Sequence, residues 1–259
     1  MADEKTQVTA PGAPIIEIKD LHKSFGSHEV LSGITLSVPA GSTLVILGGS
    51  GSGKTVLMKH MIGLLKPDSG RVIVDGEDIV PMSAEQLEKM RRKFGMVFQA
   101  AALFDSMTVY ENVSFPLREH RKDLSEEQMH DLVREKLSIV GLKNVESKFP
   151  SDLSGGMRKR VGLARAIVLD PKIVLYDEPT TGLDPITTDY VDEMILDAKK
   201  QLGVTSVVIS HDIASAFKVA DNIAFLYQGV IVDQGHPSKL RHSEHPGVKL
   251  FLQTWFGKN

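Results

Sequence analysis

The residues best suited to chemistry lie between Gly48 and Thr55, which read Gly-Gly-Ser-Gly-Ser-Gly-Lys-Thr. Glycines let a chain turn tightly enough for successive backbone N–H groups to converge on an anion, here along Gly48, Gly49, Ser50, Gly51, Ser52 and Gly53. A helix starting near Gly53 adds its positive dipole end to that nest. Lys54 can then reach the β- and γ-phosphates of a nucleotide, and the Thr55 hydroxyl can ligate Mg²⁺. The motif follows an apolar run, Thr43 to Leu47, and precedes a helical pattern from Val56. That strand–turn–helix context separates a phosphate-binding loop from an ordinary glycine-rich turn.

A second station is Asp177-Glu178, at the end of the apolar run Ile173 to Tyr176 and just before Pro179. Carboxylates at the carboxyl end of a buried strand near a phosphate loop suit divided work: Asp177 holds Mg²⁺ through water, and Glu178 orients and deprotonates the attacking water. His211 also follows a strand, Ser206 to Ser210, so it reaches the same sheet edge, where a neutral imidazole can hydrogen-bond a γ-phosphate. Gln99 follows the strand Phe94 to Phe98 and on its own carries no signal. In Leu153-Ser-Gly-Gly-Met157, Ser154 can N-cap a helix while Gly155 and Gly156 let its first turn approach an anion. The following Arg158, Lys159 and Arg160 read as a solvated basic face.

The elements that must hold these stations alternate between strand and helix. Strands are expected at Ile15 to Ile18, Leu31 to Val38, Arg71 to Val74 and Val207 to Ile209, and a hairpin joins Asn222–Tyr227 to Val230–Asp233. Met58, Met61, Ile62 and Leu65 give the loop helix an apolar face until Pro67-Asp68-Ser69-Gly70 breaks it. Thr108 to Val140 is charged and helical, with Gly141 as its C-cap, and a second helix runs from Gly155 through Ile167. Pro185 opens a helix to about Leu202, and Ile213 to Ala220 and Val248 to Trp255 are further helices. The fold class is α/β, a mixed sheet core with an antiparallel β region and an inserted helical subdomain at about 100–165.

Composition limits the function classes. The chain has 259 residues, a net charge of −3 and no cysteine. No disulfide framework or thiolate site is possible, and no basic excess points to nucleic acid. No stretch approaches the ~20 apolar residues that span a bilayer. Residues 1–14 read as a disordered tail without a signal-peptide core.

Taken in order, the phosphate loop 48–55, Gln99, Leu-Ser-Gly-Gly at 153–156, Leu-Tyr-Asp-Glu-Pro at 175–179, Gly-Leu-Asp at 182–184 and His211 resemble the ATP-binding subunit of an ABC transporter. The resemblance spans about Ile15 to Asp233. It implies a P-loop NTPase of ABC type over 15–240, with a C-terminal tail, 241–259, that can reach the partner subunit. It places Phe25 where an aromatic ring stacks on adenine, although Phe25 equally fits a core position. It makes ATP and Mg²⁺ the cofactors and adds Gln99 to the Mg²⁺ shell. It also implies head-to-tail pairing, with Ser154 to Gly156 of one copy capping the γ-phosphate held by the loop of the other and Asp184 linking the two sites. Met157 stands where Gln is commoner, and Val56 where Ser or Thr is; neither change removes a phosphate-contacting group.

Phe98-Gln-Ala-Ala-Ala-Leu-Phe104, Asn112-Val-Ser-Phe-Pro-Leu-Arg-Glu-His120, the Ser-Gly-Gly-Met segment and Asp184-Pro-Ile-Thr187 are similar to the Mla-type, Mce-associated phospholipid transport ATPases. This implies an ATPase powering lipid movement between bacterial membranes from the cytoplasmic face of the inner membrane. Its partners would be a homodimeric copy, a multipass permease docking on 100–150, a periplasmic Mce-domain lipid-binding protein and, in some members, a small STAS-domain protein. The alternatives are the same engine driving a polar amino acid or organic solvent, or a soluble ABC-type ATPase in repair or translation. A small-molecule kinase would need neither Ser154–Gly156 nor Asp184. Trp255 either packs on its own chain or travels with the tail.

Overall fold

The computed structural model describes residues 14–256, with side chains through Gln253, so residues 1–13 of the expected tail and the packing of Trp255 lie outside the described residues. In chain order the strands are β1 (Pro14–Phe25), β2 (His28–Pro39), β3 (Thr43–Leu47), β4 (Ser69–Val74), β5 (Glu77–Asp78), β6 (Phe94–Val97), β7 (Ile173–Asp177), β8 (Thr205–Ser210), β9 (Asn222–Tyr227) and β10 (Val230–Gly235). The helices are α1 (Lys54–Met61), α2 (Ala84–Arg91), α3 (Val109–His120), α4 (Glu126–Ile139), α5 (Gly155–Ile167), α6 (Pro185–Leu202), α7 (Ile213–Val219), α8 (Pro237–Leu240) and α9 (Pro246–Phe256).

β2-β1-β4-β5 form an antiparallel sheet, and β10-β9-β3-β8-β7-β6 form a second sheet in which only the β10–β9 pair is antiparallel. β3 and β8 are buried at every position, which explains the apolar runs Leu44 to Leu47 and Val207 to Ile209. Alternate residues serve two cores. Val45, Leu47, Val174 and Tyr176 face the layer of α3–α9, whereas Leu44, Ile46, Leu175 and Val207 face α1 and the antiparallel sheet. The sheet therefore has α3–α9 on one face and, on the other, α1 backed by the antiparallel sheet.

The parallel register carries the function. Leu47 lies opposite Ser210, and Asp177 lies opposite Ile209. The residues that follow, Gly48, His211 and Glu178, thus leave the sheet along one edge.

Several boundaries move. β1 already includes Pro14 and runs to Phe25, paired along most of its length with β2. The expected helix 108–140 is two helices, because Ser125 and Gln128 form a capping box that restarts the chain as α4. Thr108 and Glu111 cap α3 in the same way. Gly141, at φ +70°, supplies the left-handed residue just past the C-cap of α4. β6 ends at Val97, one residue before the expected strand end. The short β5 and α2 carry no periodic signal long enough to be read. At the C-terminus, α9 seats Val248 and Leu252 in the core, and Phe251 meets Phe225 edge-on at 5.0 Å. Residues 246–253 therefore pack on their own chain.

Asp192 on α6 is 3 % exposed and accepts a hydrogen bond from the Ser215 hydroxyl on α7. Burial pushes its carboxyl up to about 6. The folded state thus holds this proton more tightly than the unfolded chain, so the stabilisation is full below about pH 4 and lost as pH rises through 6. Asp192→Asn should raise stability at pH 7.5 by about 1–3 kcal/mol and give little gain at pH 4. Thermal midpoints at the two pH values check this; equal shifts at both would exclude the ionisation account.

Candidate nucleotide-binding site

The loop between β3 and α1 takes its shape from two left-handed glycines, Gly51 at φ +76° and Gly53 at φ +103°. A Cβ on Gly48 would lie 2.3 Å from the Leu226 carbonyl oxygen, and one on Gly53 would lie 2.8 Å from a Leu31 methyl. Gly51 and Gly53 need glycine for their positive φ, and Gly48 and Gly53 need it for close approach. No side chain caps α1, which starts directly after Gly53. Its first N–H groups are left to whatever enters the loop.

Lys54 is buried and curls back over the loop. Its Nζ donates to the carbonyl oxygens of Gly48 at 2.8 Å and Gly49 at 3.0 Å and lies 3.6 Å from Glu178 Oε1. Glu178 has a left-handed backbone, φ +50°. Its N–H donates to the Ile209 carbonyl on β8. Its second carboxylate oxygen accepts from the Thr181 hydroxyl at 3.0 Å and lies 2.8 Å from His211 Nδ1. Lys54, Glu178 and His211 form one contiguous polar chain, joined by the shared strand edge. Asp177, the preceding residue, has its carboxyl raised by burial and by the adjacent Glu178 carboxylate, against the opposing pull of Lys59 and Lys54. Two neighbouring carboxylates so placed favour an added positive charge.

A cleft of about 980 Å³ opens over this chain, walled by Gly49 to Val56, Glu178, Thr181 and His211. It also includes Val30, Ile213 and Phe251, which the sequence reading missed. Val30 sits next to a predicted strand and Ile213 opens a predicted helix, but neither carries a motif. Phe251 arrives from α9, and no spacing rule could have placed it there.

The remaining expected residues lie apart from the cleft walls in this single chain. Phe25 is 49 % exposed at the β1–β2 turn, with Lys23 Nζ 5.5 Å from its ring centroid. It is therefore not a core residue. Gln99 is exposed beyond β6. The backbone after it is left-handed at Ala101 and Ala102, and Arg165 of α5 donates to both of their carbonyls at 2.8 Å. Ser154 caps α5, its hydroxyl accepting from the Met157 N–H, and Ser154 and Gly155 are exposed. Asp184 caps α6, accepting from the Ile186 and Thr187 N–H groups at 3.0 Å. Its carboxyl is held low, chiefly by the Thr187 hydroxyl. The basic run after the signature glycines is no uniform solvated face, since Lys159 is 8 % exposed and donates to the Pro179 carbonyl.

The residues fit a nucleoside triphosphate. The uncapped α1 N-terminus, the glycine cradle and the buried Lys54 cation all answer to a polyphosphate. For a divalent cation the chain offers the exposed Thr55 hydroxyl and Asp177, and no cluster of three or more metal-ligating side chains occurs among the described residues. Such a sparse ligand set suits Mg²⁺ held largely by phosphate oxygens and water.

The chain belongs to the ABC transporter family, whose model matches residues 31–181. It is an ATP-binding, ATP-hydrolysing cassette of the kind that dimerises and works with a membrane permease. It is 47% identical over 93% of its length to a protein named probable ribonucleotide transport ATP-binding protein mkl of Mycobacterium leprae, of which it spans 70%. It is 40% identical, over 93% of its length and 89% of the relative's, to the intermembrane phospholipid transport system ATP-binding protein MlaF of Escherichia coli. Among solved structures, cbiO1 of Clostridium perfringens superimposes with a TM-score of 0.84 at 30% identity, covering 95% of this chain and 97% of that one. The dimeric cassette MJ0796 bound to ADP and Pi superimposes at 0.76 and 31% identity, covering 86% and 98%. No helix among the described residues is long and apolar enough to cross a membrane.

Proposed function

We propose that two copies of this chain pair head to tail, hydrolyse ATP at their junction and power phospholipid movement between bacterial membranes. The observation that carries the hydrolytic part is the Lys54–Glu178–His211 chain along one sheet edge, with Glu178 placed between the phosphate-loop cation and an imidazole. Glu178 accepts the proton of the attacking water, Lys54 offsets charge on the β- and γ-phosphates, and His211 donates toward the γ-phosphate. Phe25 stacks on the adenine. Ser154, Gly155 and Gly156 of the second copy close over the γ-phosphate with the exposed first turn of α5, and Asp184 lies between the two sites. Mg²⁺, held by Thr55, by Asp177 through water and by Gln99, would draw charge from the β- and γ-phosphoryl oxygens.

A second cleft, of about 610 Å³, opens beside α3 between Phe98, Phe104, Phe115, Arg91 and Arg165. Its apolar floor and cationic rim suit a helix of the permease, which would hold the chain on the cytoplasmic face of the inner membrane. Support for lipid as cargo comes from similarity to MlaF along nearly the whole of both chains. It extends to a plant relative named trigalactosyldiacylglycerol 3, chloroplastic, of Arabidopsis thaliana, at 41% identity over 92% of this chain and 73% of that one. An Mce-domain protein, and in some systems a STAS-domain protein, completes the assembly. A ribonucleotide cargo is the second reading, because the mkl relatives bear that name at 47–48% identity.

Affinity purification from detergent-solubilised native membranes, followed by protein and lipid mass spectrometry, tests the cargo. The expected result is a small permease, an Mce-domain protein and stoichiometric phospholipid. A different permease without lipid would keep the ATPase and remove the phospholipid; recovery only in the soluble fraction, without a permease, would remove the transporter.

A further inference from the structure

We infer that Lys159 is a positioning residue that joins the helix capping one nucleotide to the catalytic turn acting on the other. The inference rests on the head-to-tail reading above and assigns a route within each chain that this reading does not contain. Lys159 lies on α5, fewer than two helical turns beyond Ser154. Its ammonium is buried and makes a hydrogen bond to the carbonyl of Pro179, the residue after Glu178. Among the described residues no carboxylate lies within ion-pair distance of it, and burial lowers its basicity with no compensating anion. A buried ammonium without an anion is costly, so its position calls for an explanation beyond packing.

The target of that hydrogen bond supplies one. Glu178 is fixed from three sides: its N–H on Ile209, its carboxylate on Thr181 and His211, and Lys54 at 3.6 Å. Its backbone is left-handed, a conformation that surrounding contacts must impose on a non-glycine residue. Lys159 holds the next carbonyl and so completes the turn from the side of α5. In a head-to-tail pair, Ser154 of one chain faces the phosphate bound by its partner, while Glu178 of that same chain acts on its own nucleotide. The Lys159–Pro179 contact is therefore a single-bond link between the two sites. Engagement of α5 by the partner's γ-phosphate sets the carbonyl that follows the base.

The test is a double-mutant cycle on the full-length chain in complex with its membrane partner. ATPase rates are measured at saturating Mg-ATP, with nucleotide affinity and thermal midpoint followed on the same samples. Lys159→Met should lower kcat about 10- to 100-fold, the scale of a small misplacement of a reacting group, with nucleotide Kd within about twofold. Lys159→Gln keeps an N–H donor and should recover most of kcat. Ser154→Ala combined with Lys159→Met should be no slower than the slower single variant, because both break one route. Multiplying defects would overturn the link, as would a Lys159→Met enzyme at wild-type kcat. So would parallel loss of kcat, affinity and thermal midpoint in Lys159→Met, which would make Lys159 a purely structural tether. Should Lys159→Met not fold, a folded Lys159→Gln with kcat as low as the Ser154→Ala enzyme would also overturn it. If Ser154→Ala alone has no effect, the head-to-tail reading itself fails, and that result is distinct from failure at Lys159.

Discussion

Glu178→Gln should abolish turnover while leaving ATP bound. The carboxamide is nearly isosteric and can still accept from Thr181, so the turn persists, but it cannot take a proton from water. General-base loss costs about 10²- to 10⁴-fold, and kcat at saturating Mg-ATP should fall by at least about 100-fold. Substitution also removes the negative charge 3.6 Å from Lys54 and 2.8 Å from His211. The Lys54 ammonium and the His211 imidazole are then freer to face the phosphates, so ATP should bind as tightly as in the unmodified chain or more tightly. Phosphate release under multiple turnover, set against binding of a fluorescent ATP analogue, measures both. Hydrolysis at more than a tenth of the normal rate would remove Glu178 as the base.

Lys54→Ala acts at the other end of the same chain. In the nucleotide-free chain the ammonium bridges the Gly48 and Gly49 carbonyls, so its removal takes an internal brace from the loop as well as the cation that meets the phosphates. Charge-assisted hydrogen bonds contribute about 1.5–3 kcal/mol, which is roughly 10- to 100-fold in Kd. ATP affinity should weaken by at least that factor, while AMP, which lacks the β- and γ-phosphates, should change little. Titration calorimetry with the two nucleotides separates the phosphate contact from loop collapse. Equal losses for ATP and AMP would point to collapse.

Much of this site was legible because its signals are local. Gly48 to Thr55 lie in one stretch, and the glycines there answer to backbone demands that spacing alone expresses. Asp177, Glu178 and His211 could be placed on a common edge because each ends an apolar run, and the β3–β8–β7 register makes that edge real. What escaped depends on contacts between distant segments. Lys159 read as part of a basic surface because its neighbours Arg158 and Arg160 are basic; the partner of its buried ammonium is the Pro179 carbonyl, twenty residues away. Phe251 reaches the cleft only because α9 folds back onto Phe225. The same limit applies to the antiparallel sheet: β1 and β2 read as strands, but nothing in their alternation says that their sheet closes over α1.

Sedimentation or light scattering of Glu178→Gln with and without Mg-ATP tests the central claim, that two chains bury ATP between them, most directly. The account predicts the 28.4 kDa monomer mass without nucleotide and twice that mass with it, with Ser154→Ala in the same background returning the monomer. A chain that binds ATP stoichiometrically and remains at 28.4 kDa would contradict it.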